Sequence, residues 1–324
     1  MVDDSPPTSA AAVTAEAEIA AARAQTATTR RASVAAIEEI LFEPLAVLDL
    51  GFIRVVDYMG DDGAIVQAAR VSYGRGTKRV SDDRNLIRYL MRHRHSTPFE
   101  MCELKLHVKL PIFVARQWIR HRTANVNEYS ARYSILDREF YLPQAADLGG
   151  PPETNRQGRG APLTAAGADA ALQTIAGQSA AAYATSAKLL GLPAGADDTE
   201  EETTEGSATE GLARELARMV LPTNFYTQWY WKIDLHNLFH FLSLRADPHA
   251  QAEIRAYALK LCEVVEKWVP LAYEAFRDYR IEGAGLSGPA LKVLRRMLAG
   301  EEVALAGSGL SKREWTELMA TLGR

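Results

Sequence analysis

Between positions 120 and 133 the chain reads RHRTANVNEYSARY, which puts Arg120, His121, Arg122 and Arg132 within thirteen residues of one another and interleaves them with Asn125, Asn127, Ser130 and Tyr133. A guanidinium presents a planar fork of donors matched to phosphate oxygens, and amides and hydroxyls complete a cradle around such a group. These types therefore support binding of a phosphorylated ligand. A solvated basic turn pairing with Glu128 and Asp137 accounts for the composition equally well, so residue order has to decide between the two.

Other residues could carry chemistry. Ser130 lies beside arginines and Glu128, yet a serine hydroxyl needs a base to attack carbon, and a carboxylate held by arginines is a poor one. Binding is its expected role. His236 and His240 are four apart on a predicted helix, with Asp234, Asp247 and His249 nearby in sequence, a spacing that could serve a metal-dependent hydrolase. No clear fourth ligand or general base accompanies them, so no metal is expected, and packing beside Phe239 and Phe241 is the plainer use. Cys102 and Cys262 fall outside any C-x-x-C spacing, which suggests core positions and neither a disulfide framework nor a thiolate site. Trp229, Tyr230 and Trp231 on a strand should alternate between the core and an outer, interface-forming face, although stacking on a ring ligand is conceivable.

These residues need elements to place them. AVLDLGFIRVVDYMG reads as a strand and turn, AIVQAARVSYG as a short helix ending at Gly74, and NLIRYLMRH as a helix capped by Ser81 or Asp82 with Leu86, Ile87, Leu90 and Met91 on one face. ELKLHVKL alternates with period two and predicts a half-buried strand. Pro111 sits where a helix can start, and IFVARQWIRHR follows without a breaker. Gln117, Arg120 and His121 are thus expected within one turn near that helix's end, with the RHR segment starting on the helix and running into a loop. Downstream, LARELARMV reads as a helix, NFYTQWYWKI as a strand, LHNLFHFLSLR as a helix, and HAQAEIRAYALKLCEVVEKW as a longer helix that Pro270 ends or kinks.

Composition bounds the remainder. The 324 residues are 47% apolar and 24% charged, the balance of a globular protein with a real core. A formal charge of −4 sets up no whole-chain field for nucleic acid or membrane, and any anion site must be local. The N-terminus lacks the plan of a secretory signal, and no run of eighteen apolar residues occurs, so a cytoplasmic protein is expected. Residues 1–35 predict an Ala-rich tail, disordered or weakly helical. The body is expected over 36–282 with solvent-facing insertions near 149–162 and 194–211, joined by an Ala-rich helix, and 283–324 predicts a helical extension in which Ser311 and Glu314 are spaced as a capping box.

The order of the residues in RHRTANVNEYSARY resembles R-H-R-x-x-S-x-N-E-x-S-x-R-Y, the signature of the flavin-dependent thymidylate synthases, at every fixed position but one: Asn125 stands where the family usually has serine. Such an ordered match has few accidental competitors. HSTPFE from His95 and PIFVARQW from Pro111 resemble the family's lead-in, with Met101 replacing a histidine often found after PFE. LPTNFYTQWYW and FLSLRADPHAQAEIR resemble its C-terminal half. By this likeness the tail, the two insertions and the last forty or so residues are additions.

The resemblance implies a distinctive mixed α/β (α+β) fold, a homotetramer with active sites shared between subunits, and reductive methylation of dUMP to dTMP. Methylenetetrahydrofolate would donate the carbon, and FAD reduced by NADPH the hydride. Carried over by motif position, Arg120, His121, Arg122 and Thr123 would contact FAD, as would Thr97, Glu100 and Ser72. The helix carrying Asp234, His236 and His240 would lie against the FAD adenine, at positions where the family commonly has asparagine or arginine. For dUMP the implied set is Gln117, Arg120, Glu128, Ser130, Ala131 and Arg132, closed by Arg218 near the phosphate and Arg245 at the pyrimidine edge, with Glu128 also reaching the cofactor. Arg245 is the implied catalytic group, because a cation at that edge stabilises an enolate-like uracil and makes C5 more nucleophilic. A nucleic-acid binding module built on the RHR patch and the metal-dependent hydrolase are the competing readings.

Overall fold

The computed structural model describes residue 17 and residues 19–71, 83–130, 137–152, 158–192 and 211–323. Ser72, Ala131 and Arg132 of the expected site lie outside the described residues, as do Ser81, Asp82 and most of the acidic segment near 194–211. The chain forms two compact units, Met1–Tyr273 and Glu274–Arg324.

In the larger unit a helical stretch over 19–24 is tied down by Arg23, which donates to Glu43 at 3.3 Å and to the Glu39 carbonyl at 3.0 Å. The end of the expected tail is therefore anchored. Helix α1 (Ala35–Glu38) leads into a hairpin of β1 (Pro44–Val47) and β2 (Gly51–Met59). Where the sequence suggested one strand and a turn, the turn falls early enough to split the segment into two. Gly51 is required at that corner: a Cβ there would meet the Tyr257 hydroxyl at 2.0 Å and the Lys109 carbonyl at 2.9 Å.

Helix α2 (Asp62–Arg70) is capped by Asp61, whose carboxylate accepts from the Ala64 amide at 2.8 Å. Helix α3 (Asp83–Arg92) buries Ile87, Leu90 and Met91 as its periodicity predicts, and α4 (Thr97–Glu100) buries Phe99. Strand β3 (Glu103–Pro111) buries Leu104, Leu106, Val108 and Leu110, the period-two set. Helix α5 (Ile112–Trp118) starts after Pro111, and β4 (Asn125–Glu128) follows. The Ala-rich α6 (Ala165–Leu189) precedes α7 (Arg214–Ala217), which tightens into a single 3₁₀ turn through Val220. Then come β5 (Tyr226–Asp234), α8 (Leu235–Arg245), α9 (Ala252–Trp268) and α10 (Pro270–Phe276).

The strands make one antiparallel sheet in the order β1-β2-β3-β5-β4. Leu106 faces Trp231 and Val108 faces Trp229 across the β3–β5 pair, so the inward set of each strand shares a face. Trp229 and Trp231 are buried while Tyr230 is exposed and stacks on His107, with centroids 4.9 Å apart, which is the alternation expected of this run. Trp118 meets Trp229, Trp231, Phe241 and Tyr257 with centroids 4.7–5.9 Å apart, welding α5, β5, α8 and α9 into one core.

One expectation needs correction. Helix α5 ends at Trp118, so Arg120 and His121 lie beyond it. The following chain is drawn off to pair with the edge of β5, Asn125 opposite Lys232 and Glu128 opposite Trp229, and a ladder made with a distant strand outweighs unbroken helical propensity. In the segment near 149–162 none of the described residues is buried, in keeping with a solvent-facing segment. Its described residues fold back on themselves, the Gly150 amide donating to the Ala161 carbonyl at 2.9 Å, and Arg159 pairs with the buried Glu253. Glycine and proline content marked this loop, while the partner of Arg159 lies on a helix about a hundred residues further along.

In the smaller unit α11 (Gly288–Leu298) and α12 (Lys312–Thr321) surround a core of Ala290, Val293, Leu310 and Leu318. Ser311 caps α12 by accepting from the Glu314 amide at 3.2 Å. The Glu314 carboxylate accepts from the Ser287 hydroxyl at 2.5 Å, which links the caps of the two helices. Among the described residues no helix is long and apolar enough to cross a membrane.

Candidate functional site

The RHR segment is positioned by the end of α5. The Ile119 amide closes the last helical turn on the Ala115 carbonyl at 3.0 Å, and the His121 amide returns to Trp118 at 3.0 Å, so the chain bends sharply while Trp118 stays fixed in the core. Arg120 to Thr123 then stand opposite α8. That helix starts at Asp234, whose carboxylate accepts from the Asn237 amide at 2.9 Å and from the Asn237 side chain at 2.7 Å. Asn237, His240 and Leu244 fall on one face at helical spacing, and Arg245 closes the last turn.

A cleft of about 320 Å³ lies between these two elements. Arg120, His121, Arg122 and Thr123 line one side, and Asn237, His240, Leu244 and Arg245 the other, with Ile233 of β5 between them. A smaller cavity of about 180 Å³ adjoins His121 and Arg122 and is walled by Trp118, Ile119, Val126, Trp229 and Trp231. A strongly cationic and a largely apolar compartment thus share two residues of the signature.

Arg245 donates through Nη2 to the Gln117 carbonyl at 3.2 Å, and its buried Nε has no partner among the described residues. Burial lowers its pKa from the ordinary arginine value, yet a guanidinium begins so high that it stays charged. Burial, followed by the charges of Arg245 and His240, depresses His121 to about 4, so its ring is neutral at pH 7. Its ring lies 5.4 Å from His240 and 4.9 Å from Phe241. The unfolded chain takes up this proton near 6.5 and the folded chain only near 4. The unfolded state therefore binds more protons in that window, and the His121 contribution to stability is complete above about 6.5 and is lost as pH falls toward 4. A His121→Gln variant is expected to lose less thermal stability than the parent on going from about pH 7 to pH 5. Equal losses in paired melts would refute that coupling.

The remaining expected residues are distributed as follows. Gln117 stands behind Arg245, its side chain donating to Gln251. Glu128, on β4, accepts from the Thr227 hydroxyl at 2.9 Å, and Ser130 follows it half-buried. Thr97 and Glu100 sit on α4, which packs on α8 through Phe99 and Phe239, and they do not line the cleft. Asp234 is engaged in capping α8. His236 is exposed and does not line the cleft, so of the two histidines His240 alone borders it. Arg218 is exposed in the turn after α7, its Nε donating to the Glu215 carbonyl at 3.4 Å, outside the cleft. Asn237 and Leu244 also line the cleft, and stepping three residues back and four forward from His240 along a 3.6 period points to them.

Cys102 and Cys262 are buried, and burial pushes their thiols up to about 12 and about 11. They are core residues, held protonated. Among the described residues no three His, Cys, Asp or Glu side chains gather at one point.

Residues 54–271 match the family described as thymidylate synthase complementing protein. The flavin-dependent thymidylate synthase of Gluconobacter oxydans is 60% identical over 306 residues, which cover 94% of this chain and 96% of that one. Its counterpart in Ruegeria pomeroyi is 59% identical over 308 residues, 95% of this chain and 97% of the other. Among solved structures, the crystal structure of the UMP/dUMP methylase PolB from Streptomyces cacaoi bound with 5-Br UMP aligns with a TM-score of 0.61 at 31% identity, covering 72% of this chain and 96% of that chain. The family match ends at residue 271, before the C-terminal unit, whereas the overlaps with the two bacterial relatives run over most of the chain. With the signature arginines set against Arg245 across one cleft and the likeness running nearly end to end, the chain belongs to the flavin-dependent thymidylate synthase family.

Proposed function

We propose that the chain converts dUMP to dTMP with methylenetetrahydrofolate as carbon donor and FAD, reduced by NADPH, as cofactor. The observation that carries this reading is the cleft in which Arg120, Arg122 and Arg245 converge beside a neutral His121. The residues present fit FAD. Its diphosphate needs cationic forks and its ring an apolar wall, and the cationic cleft adjoins a cavity walled by Trp118, Trp229 and Trp231. Arg120, His121, Arg122 and Thr123 would hold it, with His240 on the facing helix. When bound, FAD supplies the hydride.

The chain's own residues supply placement and electrostatics. Arg245 is held by the Gln117 carbonyl and keeps a buried Nε donor in reserve, which suits it to a pyrimidine oxygen on which negative charge grows as C5 becomes nucleophilic. His121, being neutral, adds no competing cation beside it. Gln117, Arg120, Glu128 and Ser130 are proposed nucleotide contacts, together with Ala131, Arg132 and Arg218, and Ser72 is a proposed flavin contact. A homotetramer with active sites shared between subunits accounts for Thr97, Glu100 and Arg218 standing outside this cleft. A cytoplasmic enzyme free of metal, nucleic-acid and membrane partners completes the reading.

Purified protein should be yellow, its absorbance should bleach under anaerobic NADPH, and dTMP should form only when NADPH and methylenetetrahydrofolate are both present. Colourless protein that also ignores added FAD would overturn the proposal.

A further inference from the structure

One buried carboxylate stands apart from the proposed chemistry. Glu253, 3% exposed near the start of α9, accepts from three donors. Arg159 of the 149–162 loop pairs with Oε1, the Tyr141 hydroxyl donates to the same oxygen at 3.2 Å, and Gln251 Nε2 donates to Oε2 at 2.9 Å. Burial and Glu253 push the Tyr141 phenol up, so it remains a donor. Gln251 in turn accepts through Oε1 from Nε2 of Gln117, and the Gln117 carbonyl holds Arg245 at 3.2 Å.

The direction of this chain of bonds follows from chemistry. An ionised carboxylate only accepts, whereas a glutamine amide has a donating and an accepting end. Glu253 therefore compels Gln251 to turn its amino group inward and its oxygen toward Gln117. Gln117 must then turn its own amino group toward Gln251, which leaves its side-chain Oε1 as the end available to a ligand, separate from the backbone carbonyl that holds Arg245. Reversing either amide would set two oxygens or two amino groups against each other, and an unmade bond of that kind costs more than the bond contributes.

We infer that Glu253 is a positioning residue for nucleotide binding: through Gln251 it fixes the Gln117 amide as an acceptor, and Arg159 anchors the carboxylate from the loop. The ligand group selected is a donor, a sugar hydroxyl or the imide N–H of a pyrimidine. The inference rests on the proposed contact between Gln117 and dUMP. It gives the 149–162 loop a task at the site without any contact to the ligand.

The test is a double-mutant cycle in the FAD-loaded enzyme, with dUMP affinity read by calorimetry and flavin content by absorbance. Glu253→Gln permits the amides to reverse, and Gln251→Met cuts the relay at an exposed residue while Arg159 and Tyr141 still satisfy Glu253. Each is expected to weaken dUMP about ten-fold with flavin content unchanged, and to have less than about a two-fold effect in a Gln117→Ala background. Equal losses in both backgrounds would reveal general destabilisation and overturn the inference, as would no loss in either. If Glu253→Gln fails to fold, the Gln251→Met cycle decides alone. A parent enzyme that binds no dUMP overturns the proposed function itself, whereas one that binds dUMP indifferently to both variants overturns only the relay.

Discussion

Replacing Arg245 by alanine is expected to lower kcat by about 100-fold or more while the protein keeps its flavin, because the charge removed is one the proposed transition state needs and the ground state does not. Three features of the site support so large an effect. Its Nε is buried with no partner among the described residues, its Nη2 is fixed by the Gln117 backbone carbonyl, and the adjacent His121 is neutral and cannot stand in for the charge removed. Arg245→Lys keeps a charge but loses the fork, and should recover only part of the rate. Deleting the bond to Gln117 also costs about 1 kcal/mol of stability, so rates belong well below the melting temperature. Initial rates of dTMP formation over a range of dUMP concentrations separate the roles. A fall in kcat places Arg245 in the transition state, a rise in KM alone makes it a uniform binding residue, and an unchanged rate removes it from the mechanism.

What could be read in advance depended on how local its cause is. The alternation in β3 was plain because every second residue, Leu104 through Leu110, meets one buried face, and α8 and α9 were plain because their apolar residues recur at helical spacing. The end of α5 was not. Nothing in IFVARQWIRHR breaks a helix, and the competing force is a ladder between β4 and β5, about a hundred residues apart in sequence. The same distance hid the partner of Arg159 in the 149–162 loop, because Glu253 lies on α9. At the site, residue order in the signature disclosed Arg120 to Thr123, and a resemblance disclosed Arg245. Histidine spacing marks the 236/240 pair, whereas the cleft is lined by the face holding Asn237, His240 and Leu244. A short motif names groups, and the face a helix presents is set by what it packs against.

Trp118 shows the same dependence in energetic form, and Trp118→Ala is the substitution expected to cost most in stability, about 3–5 kcal/mol. The ring is fully buried, and its contacts with Trp229, Trp231, Phe241 and Tyr257 join four elements, so no single neighbour can relax into the void. The void would open onto the adjoining cavity of about 180 Å³, which Trp118 itself walls. Because Trp118 is also the last residue of α5, loosening it frees the turn that presents Arg120 to Thr123, and flavin occupancy should fall at temperatures where the parent is saturated. Trp118→Phe separates packing from polarity. The indole N–H has no partner among the described residues, so phenylalanine sacrifices volume without orphaning an acceptor and should restore most of both stability and flavin content. Paired denaturant titrations and flavin spectra of the two variants check this. If alanine costs less than about 1 kcal/mol, or if phenylalanine is as damaging as alanine, the rigidity of the turn comes from elsewhere than this aromatic cluster.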